Sequence, residues 1–131
     1  NMKIANVGDS RAYLITDEGI ERLTIDHSVV EEMIMRGEIT EEEAKEHPHR
    51  NLITRALGTD ERVKSDIYSC KIEEGQTVLL CSDGLSNIVS GDEMLEIIRS
   101  VPDIEQACHQ LVSLANERGG YDNITAVLVR A

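Results

Sequence analysis

Three carboxylates stand where apolar runs meet turns. Asp83 lies in Leu79-Leu80-Cys81-Ser82-Asp83-Gly84-Leu85, Asp9 in Asn6-Val7-Gly8-Asp9-Ser10-Arg11, and Asp122 in Gly119-Gly120-Tyr121-Asp122-Asn123. Carboxylates delivered from strand ends can converge on one patch, and an all-oxygen donor set of that kind suits Mg²⁺ or Mn²⁺. If the three lie at one end of one sheet, their charges repel unless a cation is bound among them. A turn Asp also has a simpler use, accepting hydrogen bonds from nearby backbone N–H groups. Asp83 stands out because Val78-Leu79-Leu80-Cys81 reads as a buried strand, and a hard cation needs ligands on rigid elements. Gly84 lets the backbone turn away there without a Cβ clash.

The elements that must carry these residues follow from periodicity and turn chemistry. Met2–Val7, Arg11–Thr16 and Ile20–Leu23 read as a β-meander, with tight turns at Gly8-Asp9-Ser10 and Asp17-Glu18-Gly19, so that Asp9 sits in a hairpin. Asp26-His27-Ser28 opens a helix through Met35, with Ser28 as N-cap, Glu31 as its capping-box partner and Gly37 at the end. Thr40 and Glu43 box a second helix, Glu41–Glu46, which Pro48 stops. Residues 31–46 hold seven acids against two bases, which predicts an exposed helical flap. Leu52–Leu57 is a broken apolar stretch.

Val63–Lys71 alternates as a half-buried strand does, and Thr77–Cys81 fits a strand buried on both faces. Leu85–Val89 is a short turn. Ser90 with Glu93 boxes helix Gly91–Arg99, and Asp103 caps a helix to Glu117 with one apolar face. Asn123–Val129 is a final strand. Short turns imply antiparallel pairing with helices on one side of a sheet, an α+β class.

Composition narrows the chemistry. At 131 residues the chain is one domain, or a large piece of one. A net charge of −12 argues against a nucleic-acid surface and suits divalent cations. With no Phe and no Trp, there is no aromatic platform for stacking bases, and the core falls to Leu, Ile, Val, Met and Ala. Cys70, Cys81 and Cys108 read as reduced core residues rather than a disulfide frame or zinc site. His27, His47, His49 and His109 lack zinc spacing and read as lone surface or core histidines. No Ca²⁺ loop of the Asp-x-Asp-x-Asp-Gly type is present. The apolar runs are too short to span a membrane, and Asn1-Met2-Lys3-Ile4 lacks a signal-peptide pattern, so a cytoplasmic location is expected.

Five motifs occur in order: Asn6-Val7-Gly8-Asp9-Ser10-Arg11-Ala12-Tyr13, Asp26-His27-Ser28, Leu52-Ile53-Thr54-Arg55-Ala56-Leu57-Gly58, Cys81-Ser82-Asp83-Gly84-Leu85 and Asp122-Asn123-Ile124-Thr125. Together they resemble the metal-dependent protein phosphatase 2C family, most of all its bacterial members, over residues 3 to 129. The resemblance implies an α-β-β-α sandwich of antiparallel sheets with helices packed outside and a centre of two to three Mn²⁺ or Mg²⁺ ions at one end. It implies that Asp83 bridges toward the metals, that Asp122 binds one, and that Asp9 helps hold a third, weaker ion near a flap at about residues 27–50. The implied reaction is hydrolysis of protein phosphoserine or phosphothreonine by a metal-activated water. The implied partners are phosphoprotein substrates and a bacterial Ser/Thr kinase with its targets, with no nucleic acid and no membrane segment.

The family's N-terminal segment, with a phosphate-gripping Arg and an Asp-Gly-x-Gly-Gly run whose Asp bridges both metals, has no counterpart in residues 1–131. Gly119-Gly120 does not replace it, because no ligand Asp precedes it. The expectation is therefore the C-terminal portion of a single domain with an incomplete site and no assignable catalytic residue. Half a sandwich leaves sheet faces and edges uncovered, so the chain is expected to self-associate or to need its N-terminal half. The alternative is a non-catalytic, phosphatase-like binding or regulatory module.

Overall fold

The alternation at the start of the chain produces strands β1 (Met2–Asn6) and β2 (Arg11–Thr16), and the two-residue turn Asp17-Glu18 folds β3 (Gly19–Arg22) back onto β2. The computed structural model describes residues 1–131. β1 and β2, expected to form a hairpin, do not pair. β1 runs antiparallel to β4 (Asp66–Cys70) in a two-stranded sheet, whereas β2 lies between β3 and β5 (Thr77–Cys81) in a four-stranded one. Gly8-Asp9-Ser10 is thus a crossover between sheets. The cause is a contact distant in the chain: both backbone polar groups of Gly8 bond to His27 and are not available to β2.

The expected helices form with small changes. In α1 (Val29–Met35) the Ser28 hydroxyl accepts from Glu31 N–H, but the reciprocal bond is missing. The Glu31 carboxylate instead takes Arg22 Nη2 at 2.9 Å, because the residue is buried beside β3 and an ionic partner serves it better there than an amide. α2 (Glu41–Lys45) has both bonds of the Thr40–Glu43 capping box. A four-residue turn, α3 (Asp83–Ser86), follows β5 directly. α4 (Gly91–Ser100) starts at the expected Ser90–Glu93 box and α5 (Ile104–Glu117) at the Asp103 cap. Arg118, after α5, reaches back to Glu93 and the Ile88 carbonyl. Its hydrogen bonds hold the Glu93 carboxyl down to about 2. No helix is long and apolar enough to cross a membrane.

The last strand, β6 (Ala126–Arg130), pairs with β5 and completes the antiparallel order β3-β2-β5-β6. On one face Tyr13, Ile15, Leu79 and Cys81 pack against Leu85, Val89, Met94, Ile98, Leu111 and Ala115 from the helices, so the helices do cover one side. The other face is only partly covered. β5 is buried on both faces at Val78 and Leu79, 1% and 0% exposed, but Leu80, on the Val78 side, is 38% exposed beside Val127 at 46% and Val129 at 41%. The second sheet is only two strands wide. The periodicity of a doubly buried strand thus holds at Val78 and fails at Leu80.

Candidate metal centre

Four carboxylates from four separate junctions line one cleft of about 790 Å³: Asp9, Asp26, Asp83 and Asp122. The cleft lies between the segment from α1 through the turn after α2, which contributes Glu31, Glu41, Lys45 and Arg50, and the ends of the four-stranded sheet. The three sequence-predicted residues are therefore brought to one place.

Asp83 is the first residue of α3, at the end of the most buried strand. The preceding Ser82 occupies the N-cap position but does not cap the helix. Its hydroxyl donates to Asn123 O at 3.1 Å and accepts from Thr125 N–H at 3.0 Å, while its N–H donates to Thr125 O at 3.0 Å. These three bonds fasten the loop carrying Asp122 to the strand carrying Asp83. They also explain why β6 starts three residues later than expected, since Asn123 to Thr125 are already engaged with Ser82. Gly84 closes the contact: a Cβ there would meet Asn123 O at 2.2 Å and the Asn123 carbonyl carbon at 2.9 Å. Its lack of a side chain thus permits a close approach of two backbones.

Asp122 serves its own turn as well. Its Oδ1 accepts from Asn123 N–H at 2.7 Å, and the residue is exposed. The simpler use of a turn Asp is therefore present at the position expected to hold a metal.

Asp9 is half-buried on the crossover between sheets. Burial raises its pKa, and the Asp83 and Asp26 carboxylates beside it push in the same direction. Asp26 was expected only to open α1. It instead forms a forked pair with Arg11, with Nε at 3.0 Å from Oδ1 and Nη2 at 2.7 Å from Oδ2. Burial opposes the Arg11 charge, but the Asp26 bonds outweigh it and raise the guanidinium pKa further. Arg11 is thereby committed to Asp26, and Asp9 and Asp83 keep an uncompensated negative charge. Cys81 packs in the apolar cluster, where burial pushes its thiol up to about 12.

All these donors are oxygens, the chemistry of a hard-cation site, and the crowding at Asp9 is what a cation would relieve. Even so, no three His, Cys, Asp or Glu side chains stand close enough to hold a metal by themselves. The donor set fits part of a hard-cation coordination shell, the rest of which water or other oxygens would supply. Asp26, which lines the cleft, and Ser82, which joins the Asp83 and Asp122 junctions, are the contributors that reading the sequence missed as site residues. Polar residues held in buried or half-buried positions beside motif carboxylates were the signal for them.

A family model for protein phosphatase 2C matches residues 1–33. The chain is 44% identical over 126 residues to "Serine/threonine phosphatase stp" of Listeria monocytogenes, covering 96% of this chain and 50% of that protein. It is 42% identical over 125 residues to "Protein phosphatase PhpP" of Streptococcus pneumoniae, covering 95% of this chain and 51% of that protein. Among solved structures, the S. agalactiae serine/threonine phosphatase superposes with a TM-score of 0.92 at 37% identity, over 98% of this chain and 54% of that one. The catalytic domain of the serine threonine protein phosphatase PstP, solved in complex with 2 manganese ions, superposes with a TM-score of 0.85 at 37% identity over 96% of this chain and 51% of that one. The chain thus spans about half the length of the relatives it matches.

Proposed function

The chain belongs to the protein phosphatase 2C family, corresponding to its C-terminal half, and on that premise we propose that it supplies part of the metal centre of a protein serine/threonine phosphatase. One observation carries the reading: Asp9, Asp83 and Asp122, from three separate junctions, line one cleft. In the proposed assignment Asp83 and Asp122 would be ligands of the two-ion centre, and Asp9 would help hold a third, weaker ion. The ions are Mn²⁺ or Mg²⁺, and when bound they lower the pKa of a water and neutralise charge on the transferring phosphoryl group. The chain's own residues hold this arrangement in place: Ser82 and Gly84 dock the Asp122 loop on the Asp83 turn, and Arg11 neutralises Asp26. Residues 27–50 act as a flap over the cleft, where Lys45 and Arg50 offer positive charge to a phosphoprotein substrate phosphorylated by a Ser/Thr kinase.

The test is Mn²⁺-dependent hydrolysis of an aryl phosphate by the chain alone and mixed with the N-terminal half of the family domain. Activity only in the mixture is expected, because no three ligands converge within the chain itself. Robust activity of the chain alone would overturn the split-site assignment. An inactive but folded mixture would favour the second reading, a phosphatase-like binding module, which the same lack of three convergent ligands supports.

The partly covered sheet face carries a related prediction. With Leu80, Val127 and Val129 exposed side by side and Ile67 61% exposed on β4, the isolated chain self-associates unless the other half covers it. Light scattering at rising concentration reads this directly, and a stable monomer at high concentration counts against it.

A further inference from the structure

We propose that His27 is a positioning residue that fixes where Asp9 presents its carboxylate, an inference that rests on the metal-site reading above. His27 precedes α1, and its side chain is only 6% exposed. It touches the Asp9 turn at two points. Gly8 N–H donates to His27 Nδ1 at 3.0 Å, and His27 N–H donates to the Gly8 carbonyl at 2.9 Å. Gly8 itself has a φ of +105°, a conformation that few other residues hold, so the peptide leading into Asp9 is both unusual and pinned.

These contacts determine the tautomer. An amide N–H can only donate, so Nδ1 must carry its lone pair and the proton must be on Nε2. Nε2 then donates to Asp66 Oδ2 at 2.8 Å. The other Asp66 oxygen accepts from Arg55 Nη1 at 3.1 Å, and that same nitrogen donates to the Lys64 carbonyl at 3.0 Å. The His27 carbonyl accepts from Thr54 N–H at 2.9 Å. A chain of bonds therefore runs from Gly8 through His27 and Asp66 to Arg55, linking the Asp9 turn to β4 and to the segment that follows α2. No bond of the imidazole is left unmade, and none reaches the cleft itself, which makes the residue a brace and not a participant.

A ligand displaced by half an ångström is a poor ligand, and losing an outer partner of this kind typically costs about 10–100-fold in metal affinity. Two substitutions separate the two ends of the ring. His27→Asn places an amide oxygen where Nδ1 stood and keeps the Gly8 acceptor while losing Asp66. His27→Gln places an amide N–H where Nε2 stood and keeps Asp66 while losing the Gly8 acceptor.

The experiment is calorimetric titration of the full-length protein with Mn²⁺ alone, with Asp9→Ala as a control. Expected is a loss of about 10–100-fold in affinity for the weakest-bound ion in His27→Gln, with His27→Asn close to wild type. Equal losses in both variants, or wild-type affinity in His27→Gln when Asp9→Ala has lost that ion, would overturn the positioning role. Unchanged binding in Asp9→Ala would instead locate the failure in the metal-site reading. Should neither variant fold, the ¹⁵N resonances of His27 in the unsubstituted protein decide: a proton on Nε2 is expected, and a proton on Nδ1 refutes the proposal.

Discussion

Asp83→Ala in the full-length parent is expected to remove Mn²⁺-dependent phosphatase activity almost completely while leaving the fold in place. The residue opens α3 at the cleft, outside the apolar cluster that the helices and sheet form, so its truncation empties no core volume. It also relieves repulsion, because Asp83 is one of the charges that raise the Asp9 pKa. Stability should therefore hold or rise slightly in the absence of metal. Loss of activity follows from the proposed ligand role: positioned metal charge contributes several kcal/mol to phosphoryl transfer. At about 1.4 kcal/mol per tenfold, that is a fall of at least about 10³-fold in kcat/KM. A melt measured without and with Mn²⁺ separates the two effects, since wild type should gain stability from the ion and the variant should not. Wild-type turnover in Asp83→Ala would sink the assignment.

Gly84→Ala is expected to be nearly as damaging with no charge changed. The added methyl would lie 2.2 Å from the Asn123 carbonyl oxygen, and that atom is backbone held by Ser82, not a side chain able to swing aside. Overpacking of this kind costs about 1–3 kcal/mol of stability. The larger effect is on the site, because the strain is relieved only by moving the Asp122 loop away from the Asp83 turn. A displacement near 1 Å costs on the order of 10²-fold in rate. The expected signature is a raised Mn²⁺ requirement together with a reduced kcat in a protein that still folds. A Gly84→Ala enzyme with unchanged metal dependence would mean that the Asp122 loop is not a working part of the site.

Much of the architecture was legible in local pattern. The Thr40–Glu43 and Ser90–Glu93 boxes and the Asp103 cap were readable because an N-cap and its partner lie three residues apart, and the structure makes those bonds. The β2–β3 hairpin was readable because its turn is two residues long. Asp9, Asp83 and Asp122 could be singled out because each stands where an apolar run meets a turn, and the cleft gathers all three.

The failures lie where a distant residue overrode a local preference. Gly8-Asp9-Ser10 looked like a hairpin because it is a tight turn between strands. His27, 19 positions away, claims the groups that a hairpin would need. Glu31 looked like a capping partner because of its spacing, but Arg22 takes its carboxylate. Val63–Lys71 alternated over nine residues, but only Asp66–Cys70 has a strand to pair with. Gly84 was credited with freeing a turn, whereas the structure uses it to admit a second backbone.

By itself, then, the sequence determined the elements, their caps and the chemical type of the donors, because those depend on residues within a turn or two of one another. Only the tertiary structure decided which strands share a sheet, that Ser82 and Gly84 join the Asp83 and Asp122 junctions, and that Arg11 spends its charge on Asp26 rather than on Asp9 or Asp83. These are contacts between residues 15 to 70 positions apart. No spacing rule encodes such contacts, because they exist only once the sheets and helices have packed.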